Sequence, residues 1–325
     1  MNELAELSPK EDISLSELIS AIYSGKIKVI VGTIIFAILS VALALYLPNQ
    51  YKSKSTLIIN SESSGGLSSL AGSLGGLAGM AGISLGGGQE NTNPLIAKEL
   101  ITSQAFILKF IEKHSLLVPI MASTKWDEAN NKLVINSKRY DVDRGLWLFK
   151  DEPTKKDRPK QEDIVKEFKK LVTLSEDSKT GIITLSIEFY SPELSQKWLS
   201  LLINDVNETI REYDIEQSTR SIKYLQGLLV ETDNNYFKET FYKLIEEQTK
   251  TLMISKVRDD YVFKMIDPPN LPEKKSKPLR AIICVLGTIF GGFLMTLWIL
   301  VRYFMSVTEP SHLSELKELN EQSKA

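Results

Sequence analysis

Few residues in this chain have the types and spacing that chemistry needs. Two histidines, His114 and His312, and one cysteine, Cys284, occur in 325 residues. A thiolate metal cluster and an intrachain disulfide are excluded, and a multi-histidine metal site lacks ligands. Gly25-Lys26 has the ending of a phosphate-binding loop, but Ile27 stands where Ser or Thr is required and no glycine lies five residues before Gly25. Asp141 and Asp143 could serve a hard cation only if more oxygen ligands converged, and none is evident nearby in sequence. A solvated loop is the simpler reading. A glycosidase carboxylate pair can converge from anywhere, so a total of 41 Asp and Glu carries no information. His114 ends an amphipathic run and reads as a polar cap rather than a base. The chain is expected to be no enzyme, with no catalytic residue, no cofactor and no metal.

The elements that would position any site are dominated by two apolar runs. Residues 29–51 carry no charge over 23 positions, and residues 281–301 carry none over 21. Each can cross a hydrocarbon core of about 30 Å at 1.5 Å per residue. A buried core helix rarely stays uncharged on every face for so long. The first run is not a cleaved signal, despite Ala42-Leu43-Ala44, because its leader is long and acidic. Two spans put both termini on one side and the intervening loop on the other. Lysines flank the outer end of the first span and the loop end of the second, so charge alone leaves the orientation open. Net charge is −2, which gives no global basic field for nucleic acid.

Between the spans, residues 51–61 alternate like a strand, residues 171–190 read as a hairpin turning near Ser178-Lys179-Thr180-Gly181, and residues 261–267 read as a last strand. From Asn93, helical spacing runs through Leu95, Leu100, Ile107 and Ile111. Residues 119–160 are mixed and polar. After the Ser191-Pro192 start signal, helical pattern continues through residues 192–261, with Gly227 and Asp233-Asn234-Asn235 as places to bend or break. Unbroken, nearly 70 residues would reach roughly 100 Å. Residues 214–221 are almost wholly polar, as in a helix standing in water. The fold class expected is an α+β membrane protein, with two transmembrane helices flanking a domain built on a small mixed sheet near the membrane and a long extended helix.

Three stretches have structural rather than chemical promise. Pro268, Pro269, Pro272 and Pro278 fit an extended strut over residues 268–278 that holds the spans in register with the base. Gly287, Gly291 and Gly292 make a small-residue face on which another helix can pack closely. Residues 65–88 hold ten Gly and four Ser in 24 positions. There Leu67, Leu70, Leu74 and Leu77 recur at helical spacing, and Gly72 and Gly76 lie four apart. Each glycine costs a helix interior roughly 1 kcal/mol, so this run is a poor third span. It reads either as a segment packed near the base by neighbouring copies or as a mobile loop.

Several strings together resemble one family. They are ISLSELISAIYSGK before the first span, LPNQYKSKSTLII after it, KTGIITLSIEFYSPELSQKWLSLLINDVNETIRE, LIEEQTKTLMISKVRDDYVFKMIDPPNLPEKKSKP, and LGTIFGG in the second span. Their order and spacing are similar to the Wzz-type chain-length determinants, the polysaccharide co-polymerases of Gram-negative inner membranes. The resemblance covers nearly all of residues 12–304. It implies residues 1–28 in the cytoplasm, spans at 29–48 and 279–302, a periplasmic domain over 49–278 and a cytoplasmic tail over 303–325. It also implies an octameric ring, and work with the inner-membrane polymerase on a lipid-linked glycan to set the number of repeats in O-antigen or a related polysaccharide. Related co-polymerases with tyrosine-kinase activity carry a cytoplasmic nucleotide-binding domain, and the 23 residues after the second span do not provide one. The other readings are a two-span sensory or scaffold receptor and a co-polymerase subunit of a capsule or exopolysaccharide export system.

Overall fold

The computed structural model describes residues 23–59, 92–148 and 159–322. The Gly-rich run with Leu67, Leu70, Leu74, Leu77, Gly72 and Gly76 lies outside the described residues. The chain divides into two compact units, Met1–Leu47 with Lys277–Ala325, and Pro48–Ser276.

The first unit is a helix pair. Helix α1 spans Lys26–Tyr46, and the last helix of the chain spans Arg280–Gln322. Both contain a stretch long and apolar enough to cross a membrane. Their apolar side chains face outward: Ile30, Ile34, Leu39, Leu286, Phe290 and Phe293 are all more than half exposed. Water would oppose such a surface, whereas lipid would not. Polar side chains within the pair bond to their own helix, with Ser40 Oγ donating to Ala37 O and Thr288 Oγ1 to Cys284 O, 2.8 Å each.

The second unit holds all the strands but one residue. Strand β1 spans Gln50–Ile59. Helices α2 (Thr92–Thr102), α3 (Gln104–Lys113) and α4 (Leu117–Ala122) follow, then the hairpin β2 (Ser123–Asp127) and β3 (Lys132–Ile135), and a two-residue ribbon, β4 (Tyr140–Asp141) and β5 (Leu146–Trp147). Next come α5 (Gln161–Leu171), β6 (Val172–Glu176), β7 (Ile183–Phe189), α6 (Pro192–Glu231), α7 (Asn235–Val257), β8 (Phe263–Asp267) and β9 (Lys275–Lys277). The final helix, named above, is α8. The main sheet has the order β6-β7-β1-β8, and β9 also pairs with β1. The β6–β7, β7–β1 and β1–β8 pairings are antiparallel.

The three sequence-distant strand regions thus meet in one sheet. Ser53, Ser55 and Leu57 of β1 share a face with Ile187, Leu185 and Ile183 of β7, and that face is fully buried. Against it packs the start of α6, through Trp198, Leu199, Leu202, Ile203 and Val206. Ser191 caps α6 by accepting from Leu194 N at 3.3 Å, and Pro192 fills the first turn where its missing N–H costs nothing. Gly181, at φ +67, turns the β6–β7 hairpin, and Asp177 accepts from Lys179 N.

One helical expectation changes and another is made specific. The run from Asn93 is two helices, because Ser103 leaves helical geometry and caps α3 by accepting from Phe106 N. The region 192–261 breaks after Glu231, at one of the two places marked for it. Helix α6, 40 residues and about 60 Å long, ends at Glu231, and α7 folds back along it. Asn234 starts the return by accepting from Tyr236 N at 2.9 Å. Gly227 stays helical. Beyond Ile210, Ser218 is the one residue of α6 that is buried, so the polar stretch has α7 and solvent as neighbours rather than a core. Residues 123–147, which gave no clear pattern, form the two small hairpins.

Tyr261 locks the base of this helical pair. Its hydroxyl donates to Asp214 Oδ2 of α6 at 2.6 Å and lies 2.9 Å from Ser255 Oγ of α7. Burial, then the Asp214 hydrogen bond, push the phenol well above its ordinary value, while Ser255 pulls the other way. A phenol whose ionisation is opposed in the fold contributes its full stability below about pH 10 and loses it as pH rises further, because only the unfolded chain ionises readily. The expected result is a melting temperature that falls above about pH 10, and falls less steeply in Tyr261→Phe. Equal slopes in the two proteins would remove this role.

Candidate functional site

The span glycines lie on a regular antiparallel seam within the first unit. Gly287 faces Ser40, Gly291 faces Phe36, Met295 faces Gly32 and Ile299 faces Gly25. The second helix contributes residues four apart and the first contributes Ser40, Phe36 and Gly32 four apart and Gly25 seven further on, spacings that return a helix to the same face. A Cβ added to Gly287 would overlap Ser40 Cβ, and one on Gly291 would overlap Phe36 Cβ. Gly292 has more room, with Thr33 Oγ1 at 3.5 Å from an added Cβ. Small residues of this kind let helix backbones approach and gain dispersion contacts where no hydrophobic drive exists.

The Pro-rich segment has a specific partner inside the second unit. Proline has no N–H to offer a sheet edge, so residues after β8 cannot continue its ladder. Asn270 substitutes for it. Its N–H donates to Lys54 O at 3.1 Å, its Oδ1 accepts from Lys54 N at 2.7 Å, and its carbonyl accepts from Ser53 Oγ at 2.7 Å. Gln196 Nε2 of α6 donates to Pro269 O at 2.8 Å. Ser276 Oγ then donates to Gln50 O at 3.0 Å. Pro268, Pro269 and Pro272 therefore lie along β1 in this unit, and Pro278 belongs to the other unit. The sequence reading passed over Asn270. One asparagine among prolines has no periodicity to reveal it.

The residues weighed for chemistry serve the fold. His114 is the C-cap of α3, its Nε2 2.9 Å from Asp205 Oδ2, its ring edge-on to Phe110 at 5.0 Å. Lys113 bridges Asp205 and Glu208 at 3.0 Å each, and those hydrogen bonds raise its pKa. This cluster ties α3 to α6. Asp141 accepts from Asp143 N and Arg144 N in the turn between β4 and β5, as a local turn cap. Gly25 and Lys26 begin α1 rather than a phosphate loop. Among the described residues, no group of three His, Cys, Asp or Glu could hold a metal ion.

What sets the chain apart is therefore its plan, in which one α+β unit is bracketed by two membrane-length apolar helices. Residues 11–114 match the family model Wzz, described as chain length determinant protein. The Wzz segment takes in α1, β1 and the Gly-rich run, and it ends at His114, the cap that fastens α3 to α6. A full-length bacterial polysaccharide co-polymerase overlays at TM-score 0.37 with 12% identity, covering 92% of this chain and 100% of that one. A fragment of WzzB, a polysaccharide co-polymerase from Salmonella Typhimurium, gives 0.28 and 14%, covering 70% and 100%. A mutant of the Shigella flexneri lipopolysaccharide O-antigen chain-length regulator WzzBSF gives 0.21 and 11%, also covering 70% and 100%. No curated protein matches the chain. The likeness to the Wzz family rests on residues 11–114.

Proposed function

We propose that the chain is a non-catalytic regulator that sets the length of a surface polysaccharide, O-antigen or a related polymer. It acts with an inner-membrane polymerase as an oligomeric co-polymerase. The observation that carries this reading is the coincidence of a chain length determinant segment with two membrane-length helices bracketing one α+β unit. On this reading the helices are inner-membrane spans, the termini are cytoplasmic and the large unit is periplasmic. The seam of Gly287 and Gly291 fixes the span pair that the polymerase meets. The segment through Pro268, Pro269, Pro272 and Pro278 keeps that pair in register with the base.

Assembly from several copies has support in the helical pair. Tyr213, Tyr224, Tyr236, Phe237 and Tyr242 are each about half exposed or more on α6 and α7. Large aromatic side chains on a surface favour protein contacts. An octameric ring would line its wall with these long helices and hold growing lipid-linked glycan beside the polymerase. The test is chemical cross-linking in native membranes, followed by mass measurement. Oligomers of the chain and an integral membrane polymerase are the expected products. Recovery of single chains alone would contradict the reading.

A further inference from the structure

A cleft of about 390 Å³ opens in the second unit where the end of α3, the start of α4 and the β4–β5 ribbon meet. Ligand clefts run from about 300 to 1,000 Å³, so it has the size for a small ligand or a short piece of a longer one. It takes no part in the sheet, the span seam or the Pro-rich segment.

Its lining is chemically mixed in an informative way. Tyr140 and Trp147 face each other across the ribbon, with ring centroids 4.9 Å apart and planes at 59°. Both rings are only partly buried, and both line the cleft. Aromatic faces of this kind pack against the C–H faces of sugar rings, while the phenol and indole tips stay available for hydrogen bonds. Glu112, an exposed carboxylate, and Ser115 line the same cleft. A carboxylate accepts from sugar hydroxyls, and a hydroxyl can both donate and accept.

Ser115 adds an independent observation. It closes α3 in a Schellman motif: Leu116 N donates to Ile111 O at 2.9 Å and Ser115 N to Glu112 O at 3.2 Å. The left-handed position of that motif favours glycine, yet here it is a serine at φ +55. Glycine would suit that backbone position better, and the serine there places a hydroxyl at the cleft rim.

We propose that this cleft is a glycan subsite. Tyr140 and Trp147 form its stacking platform, and Glu112 and Ser115 hydrogen-bond sugar hydroxyls. The proposal rests on the polysaccharide reading for the source of the ligand.

The experiment uses the full chain in detergent. The probe is short oligosaccharide from surface polysaccharide, released by mild acid from cells that make this protein, and binding is read by calorimetry. Wild type is expected to bind saturably. Trp147→Ala and Glu112→Gln are expected to weaken binding tenfold or more. Ser115→Gly is expected to weaken it about threefold while melting at the same or a higher temperature, because glycine suits the positive φ. That last pairing cannot come from a damaged fold. Absence of saturable binding by wild type would overturn the proposal. So would loss confined to Trp147→Ala and accompanied by a lowered melting temperature. If a gene deletion alters polysaccharide length while the protein binds no glycan, the cleft proposal fails and the regulatory role stands. Binding with an unaltered length fails the role and keeps the cleft.

Discussion

Replacing Gly287 and Gly291 together by leucine is expected to broaden or shift the polysaccharide length distribution while the protein stays in the membrane. Each leucine must place its Cβ where Ser40 or Phe36 already sits. The clash is with the first atoms of side chains on the facing helix, not with flexible ends that can swing away. The helices must move apart along a seam in which Gly32 and Gly25 lie equally close to Met295 and Ile299. Leucine is at least as apolar as glycine, so insertion is unaffected and only helix association suffers. Cysteine pairs across the seam, scored by disulfide formation, read the separation directly. Gly292→Leu provides the internal contrast, because its added Cβ meets only ordinary contacts with Thr33. An unchanged length distribution in the double variant, with the seam demonstrably opened, would remove span packing from the mechanism.

Asn207→Ala is expected to cost the second unit about 4 kcal/mol. Asn207 is buried on α6. Its Oδ1 accepts from Val262 N at 3.1 Å and Phe263 N at 2.8 Å, and its Nδ2 donates to Phe263 O at 2.9 Å. Alanine would strand two N–H groups and one carbonyl at the point where the chain enters β8. Water has no route there, since Tyr261, Val262 and Phe263 are all buried. For a unit of this size the loss corresponds to a fall in Tm of about 10 °C, measured by near-UV circular dichroism of the full chain in detergent. Asn207→Asp keeps both acceptor bonds but sets a buried carboxylate oxygen against Phe263 O, so a fall in Tm is expected there too. A change under about 1 kcal/mol in the alanine variant would mean that the backbone at 262–263 finds other partners.

The parts of the molecule that repeat in sequence were legible before the structure. Uninterrupted apolar runs marked the two long helices, alternation marked β1, and Ser191-Pro192 marked the start of α6. Single residues with no pattern of their own were not legible. Ser103 splits a helix whose apolar spacing reads straight through it, because a cap competes with helix by one side-chain hydrogen bond that periodicity does not register. The return of α7 along α6 depends on a three-residue break at a place the sequence marked to bend or break, without marking the direction the chain takes after it. Asn207 and Asn270 serve backbone 56 and 216 residues away, distances at which sequence offers no signal. The cleft was missed for a related reason. Tyr140 and Trp147 meet through a ribbon of two-residue strands that propensity cannot detect, and the polar residues between them read as a solvated loop. The span glycines were visible as a spacing, but their facing residues on α1 needed the antiparallel register.

The most direct test of the regulatory role is the size profile of surface polysaccharide on a gel, from cells lacking the gene and from the same cells complemented with it. Deletion is expected to convert a ladder clustered around one repeat number into a short, random one, and complementation to restore the cluster. A ladder unaltered by deletion would contradict chain-length control by this protein.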